Sequence, residues 1–250
     1  MFQPRCLPQS QTFRLGTILA GLALATLVPG AAAASDPHPE LRRLSPADAV
    51  WVDLAAGRVI VGGRIALEDG PIEFFACPKE TKEHESIVAV DAPARLVHAA
   101  LLAIGLQSGQ PASFADGYTP ASGDPVAIEV TWRESETTRR VPAQEWVRDS
   151  RTGDQLDTHW VFAGSQFWKD PRNGTEYYQA DGGDLVCVSN FPTAMLDLPI
   201  ASSQANEALL FEAFAERVPP SGTPVELILS RAEATPVDAG HPAVTPPPPN

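Results

Sequence analysis

Apolar side chains in this chain fall mostly into short runs, and several of them alternate with polar residues at every second position. In 126–132, Val126, Ile128, Val130 and Trp132 share one face, while Ala127, Glu129 and Thr131 share the other. A period of two is the mark of a strand with one face buried. Similar β-type runs cover 51–54, 58–67, 72–76 and 86–90 early in the chain. Later runs cover 139–147, 160–163, 175–180, 185–189 and 225–230. Turn residues punctuate them at Gly62-Gly63, Asp69-Gly70-Pro71, Gly123-Asp124-Pro125 and 170–174.

Two segments break this rhythm. From Asp91 to Gly105 the pattern is helical, with Pro93 suited to the first turn and Gly105 to the left-handed position past the end. Val97, Leu101 and Ile104 fall on one face, and Arg95 and His98 lie opposite. A second helix is expected over 206–217, where Leu209, Leu210, Phe211 and Phe214 recur at helical spacing. The expected fold class is therefore α+β, a single domain with a mostly antiparallel sheet and two principal helices. The runs at 72–76 and 86–90 are close in sequence, so they are expected to pair antiparallel as a hairpin.

The ends of the chain have a different character. Residues 1–34 carry Arg5 and Arg14, no acidic residue, an apolar run from Leu15 to Val28, and small residues from Ala31 to Ala34. This is the layout of a secretory signal peptide, and the run is too short to span a bilayer. Residues 35–40 read as a linker and 41–231 as the domain. Residues 232–250 read as a tail: six of its 19 residues are proline, and it has little to bury. The expected location is exported, in the periplasm or outside the cell, with no membrane attachment after cleavage.

Net charge narrows the partners. The whole chain stands at −13, and cleavage after Ala34 would remove two more positive charges. Phosphate backbones repel such a chain, so no nucleic-acid partner is expected.

Candidate chemistry is sparse. Beyond the signal peptide only Cys77 and Cys187 remain, which leaves either a disulfide or two separate buried thiols. Zinc-type ligands are present in Cys77, His84, His98 and Cys187, but their spacing matches no zinc signature, and no metal or cofactor is expected. Phosphate-binding loops and a G-x-S-x-G nucleophile elbow are absent from the sequence. Asp181-Gly-Gly-Asp184 is read as a polar turn. Two features rise above this background. One is the densely charged loop from Lys79 to Glu85, with Lys79, Lys82, His84 and Glu85, together with His98, as ligand-binding candidates. The other is the aromatic set Trp160, Phe162, Phe167, Trp168, Tyr177 and Tyr178, expected to be mainly core.

Three stretches resemble the YdjY-domain family of exported bacterial proteins: Ile72 to Ser86 running into Val97 to Gly105, Trp160 to Ser165, and Gly182 to Asp197. The resemblance implies a domain family without an established activity. Some relatives are described as ferredoxin-like, but two cysteines cannot hold such a cluster. Taken together, these features favour an exported, non-enzymatic domain that binds a small molecule or protein. The alternative is a metal-dependent or redox accessory using Cys77, His84, His98 and Cys187.

Overall fold

The computed structural model of the chain describes residues 36–202 and 209–233. The expected signal peptide and nearly all of the expected tail lie outside these residues. Eight strands carry the architecture: β1 (Arg58–Ile65), β2 (Phe74–Pro78), β3 (Ser86–Val90), β4 (Pro125–Glu134), β5 (Trp160–Phe162), β6 (Val186–Cys187), β7 (Leu196–Asp197) and β8 (Pro224–Arg231). They pair in the order β1-β8-β4-β5-β7-β6-β2-β3, and β3 pairs back to β1. That last pairing closes the sheet into an eight-stranded barrel, which leaves none of the eight with an open edge.

The alternation seen at 126–132 places Val126, Ile128 and Val130 in the core. On β5, Trp160 and Phe162 join that core, whereas Val161 packs on the other side under Ala112 and Ala121. Large rings fill the barrel: Phe75 lies 5.5 Å from Trp160 and 6.5 Å from Trp146, centroid to centroid. The helix α1 (Ala94–Ala103) adds Ala94, Val97, Ala100 and Leu101 to the same core. Gly105 follows it at φ 88°, as its sequence position suggested.

Four expectations fail here. The fold is mostly β, with one α-helix among the described residues and a closed barrel, rather than α+β with two principal helices. Part of the second helix, 203–208, lies outside the described residues. Its remainder holds the strand Phe211–Ala213, which pairs with Val147–Asp149 and Gly70–Pro71. Leu209 to Phe214 is a short apolar run that fits either period, and hydrogen bonds from neighbouring strands decide it. Ser150 N donates to Leu210 O, and Phe214 N donates to Trp146 O.

The pair β2–β3 is parallel rather than a hairpin, with Phe74 opposite Ser86 and Pro78 opposite Val90. The seven connecting residues must therefore travel back along the strands. Five residues of strand span about 16 Å, within reach of seven residues extending up to about 24 Å. Backbone bonds pin both ends of this crossing: Lys79 N donates to Val90 O, and Glu73 N donates to Glu85 O.

Gly62-Gly63 forms no turn and lies within β1, at the closure seam. A Cβ on Gly63 would run into Ala89 O and come within 3.0 Å of Val90 Cα. The missing side chain is what lets β3 approach β1.

Candidate functional site

The crossing loop Lys79 to Glu85 is tied down at nearly every charged residue. Lys79 pairs with Asp91 at 3.2 Å on the surface, and Glu83 pairs with Arg64 at 2.9 Å. Lys82 turns inward. Its Nζ donates to Asp184 Oδ1 at 2.9 Å and lies 4.3 Å from the Phe74 ring centroid and 5.2 Å from that of Phe191. Burial works against the ammonium, but the Asp184 carboxylate outweighs it and raises the lysine pKa. Asp184 also accepts from the Thr193 hydroxyl.

Asp181-Gly-Gly-Asp184 is thus a turn with two structural carboxylates. Asp181 accepts the backbone N–H of Arg95 and pairs with its guanidinium, capping the first turn of α1 from outside the helix. Gly183 stands at φ 139°, and a Cβ there would sit 2.5 Å from Lys82 Cδ. The lysine stem occupies the space beside this glycine.

Glu73 is buried beside the loop. Burial raises its pKa, and the Glu85 carboxylate adds to the rise. Deeper still, Asp197 is fully buried on β7, and burial lifts its pKa to about 7 despite donors that favour the charge. Oδ1 accepts from Asn190 Nδ2 at 3.0 Å and from the Leu198 N–H at 2.8 Å, whereas Oδ2 has no partner. Glu73, Asn190 and Asp197 carry no motif that would single them out in the sequence; only their burial marks them.

The remaining sequence candidates scatter. The His84 side chain is 79% exposed, and its Nε2 lies 3.9 Å from Glu85 Oε1, beyond hydrogen-bond reach. Cys77 and Cys187 are both free, buried thiols, and burial raises the pKa of each. Among the described residues, no group of three or more His, Cys, Asp or Glu side chains is arranged to hold a metal ion. Of the five ligand-binding candidates, the structure brings Lys82 and Glu85 together around Glu73 and leaves Lys79 and His84 at the surface.

His98 belongs to a different place. Its ring meets Phe162 edge-on at 4.8 Å and Tyr178 at 5.4 Å. Its Nδ1 lies 2.8 Å from the Tyr178 hydroxyl, which donates to Gly164 O at 2.9 Å. Tyr178 ends a two-stranded ribbon, Phe167–Lys169 paired with Glu176–Tyr178, that stands apart from the barrel sheet.

The aromatic set, expected to be mainly core, divides here. Trp160, Phe162 and Tyr178 are buried, while Phe167, Trp168 and Tyr177 are 69%, 45% and 48% exposed. Register places Phe167 with Tyr178 on one ribbon face and Trp168 with Tyr177 on the other. The ring centroids of these pairs are 5.1 and 5.7 Å apart. Aromatic character in β-type runs marked the six residues, but only the ribbon's separation from the barrel sheet leaves three of them exposed.

No curated protein and no solved structure matches this chain. The family model of the YdjY domain matches residues 50–230, which takes in α1, the ribbon and the eight barrel strands save the last residue of β8. The chain belongs to the YdjY-domain family.

Proposed function

We propose that this is an exported, non-enzymatic binding domain whose recognition surface is the aromatic ribbon. The observation that carries this reading is the exposure of Phe167, Trp168 and Tyr177 on one small element. A two-stranded ribbon is marginal by itself, and leaving three large rings partly in water forgoes a share, about half, of the roughly 1.5–3 kcal/mol that full burial of each would bring. Aromatic side chains grouped at a surface are typical anchors of recognition. The barrel interior, by contrast, is filled with its own side chains.

Two experiments test the two parts of this reading. N-terminal sequencing of the protein recovered from the exported fraction should begin between Ala31 and Asp36, and recovery of intact Met1 would refute export by cleavage. Trp51, Trp146 and Trp160 are buried, so Trp168 is the most exposed tryptophan of the barrel and ribbon. Fractions of the exported compartment are titrated against tryptophan emission. A blue shift seen with the native protein and absent from Trp168→Phe is expected; identical responses from the two proteins would sink the ribbon as the site.

A further inference from the structure

Asn173-Gly174 is the one Asn-Gly step in the chain, and it lies in the turn that joins the two strands of the ribbon. Asn173, Gly174 and Thr175 are all exposed. Thr175 N donates to Asn173 Oδ1 at 2.8 Å. This bond folds the side-chain amide back along the chain, toward the Gly174 nitrogen that stands between the two bonded groups in sequence. It also puts an N–H donor on the oxygen that turns negative when a nucleophile adds to the amide carbon. Gly174 has no side chain to shield its nitrogen. One restraint opposes attack: Gly174 N donates to Asp170 O at 2.7 Å, and this bond must open first. A two-stranded ribbon outside the barrel sheet is marginal, so its tip opens while the barrel stays folded. Asn190, by contrast, is buried and is followed by Phe191.

We propose that Asn173 is a self-modifying site, converted to aspartate and isoaspartate in the folded protein with water and hydroxide as the only co-reactants. Hydroxide takes the Gly174 amide proton, and the bared nitrogen adds to Cγ of Asn173. The bond from Cγ to Nδ2 then breaks. Ammonia leaves, taking its third hydrogen from water and returning the hydroxide, and a five-membered imide remains. Water opens this ring at one carbonyl or the other, giving aspartate or isoaspartate. In sum one water is consumed and one ammonia released, with no change of oxidation state. Either product adds a negative charge next to Arg172 at the ribbon tip. Isoaspartate also lengthens the backbone by one carbon, within a turn closed by bonds from Gly174 N to Asp170 O and from Asp170 N to Thr175 O. The inference holds whether or not the ribbon binds a partner.

The test incubates the whole protein at pH 6 and pH 8, both folded and in guanidinium chloride, and maps its peptides by mass spectrometry. In the folded protein the Asn173 peptide should gain one mass unit, as two chromatographically separate products, and should do so faster at pH 8. Asn190 should stay intact. Gly174→Ala should slow the gain severalfold by crowding the nitrogen. A Cβ there meets nothing nearer than the end of the Lys169 side chain at 3.7 Å, so the turn survives at a modest cost for φ 73°. Asn173→Gln, which would have to close a six-membered ring, should remove the gain altogether. An Asn173 that stays intact in the folded protein yet reacts in guanidinium overturns the proposal, because the fold then shields the site. A rate independent of pH overturns it too, as does an equal gain at Asn173 and Asn190 in the folded protein.

Discussion

Lys82 Nζ meets Asp184 Oδ1 at 2.9 Å across 102 residues of sequence, joining the crossing loop to the turn before β6. The pair is mostly buried, with the lysine side chain 31% and the aspartate 11% exposed. Removing one partner leaves a charge in a poor solvent. Lys82→Ala should therefore cost about 2 kcal/mol, below the figure for a fully buried pair because the lysine retains water. Urea unfolding of both single variants and the Lys82→Ala/Asp184→Asn double variant should show positive coupling; strict additivity would mean that the contact contributes nothing. Gly183→Ala adds a diagnostic. It should destabilise the native protein, and truncating Lys82 should recover the steric part while the cost of φ 139° remains.

Gly63 offers a test of barrel closure. Its missing Cβ admits Ala89 O and Val90, so Gly63→Ala must push β3 away from β1. The expected loss is about 2–4 kcal/mol, larger than for alanine at an ordinary strand glycine. Amide exchange should accelerate first at the seam amides of Asp91 and Ala66, which donate to Gly62 O and Ile87 O. Unchanged protection there would show that closure does not depend on this glycine.

Asp197 makes stability depend on pH in the direction opposite to a salt-bridged carboxylate. Its folded pKa of about 7 lies above the ordinary value of 3.8. The folded chain thus binds a proton that the unfolded chain releases. This stabilisation is complete below the unfolded pKa and is lost as pH rises through about 7. Asp197→Asn removes the titration, so its stability relative to the native protein should improve from pH 5 to pH 8. The size should be on the order of 2–3 kcal/mol. Paired denaturant melts at the two pH values measure it, and a difference independent of pH would contradict the assignment.

The ribbon and His84 should be nearly silent in stability. Trp168→Ala with Tyr177→Ala, and separately His84→Ala, remove side chains that are exposed or without a hydrogen bond. Each is expected to change unfolding free energy by less than about 0.5 kcal/mol per site. Loss of the cellular role in the ribbon variant, with an unchanged melting temperature, separates recognition from folding. A drop of several degrees would instead place the ribbon within the cooperative core.

Much of the barrel was legible in the sequence, because a single buried face leaves a period-two trace, as in β4, and burial of both faces leaves a short continuous apolar run, as in β3. Ser86–Val90 carries the predicted bounds, and the Val126, Ile128, Val130 stripe enters the core as expected. The helix from Asp91 to Gly105 was equally plain from its stripe and its stop. Of the site, the charged loop could be seen, but Glu73 and Asp197 could not. An acidic residue in a sequence shows nothing of its burial, and burial is what perturbs these two.

By itself the sequence determined where most of the strands and the one described helix lie, though not Leu196–Asp197 or Phe211–Ala213, and membership of a domain family, since these depend on local period, turn residues and continuous stretches of chain. Only the tertiary structure decided which strands meet. The run at 72–76 is only nine residues from that at 86–90, yet the two pair parallel, because barrel closure with β1 sets the direction of β3. The same holds for Leu209 to Phe214, which strand neighbours draw out of the helical pattern, and for Phe167, Trp168 and Tyr177, whose exposure follows from a ribbon set off from the barrel. Each of these outcomes is settled by hydrogen bonds and packing between residues far apart along the chain, and such contacts leave no periodic trace in either partner.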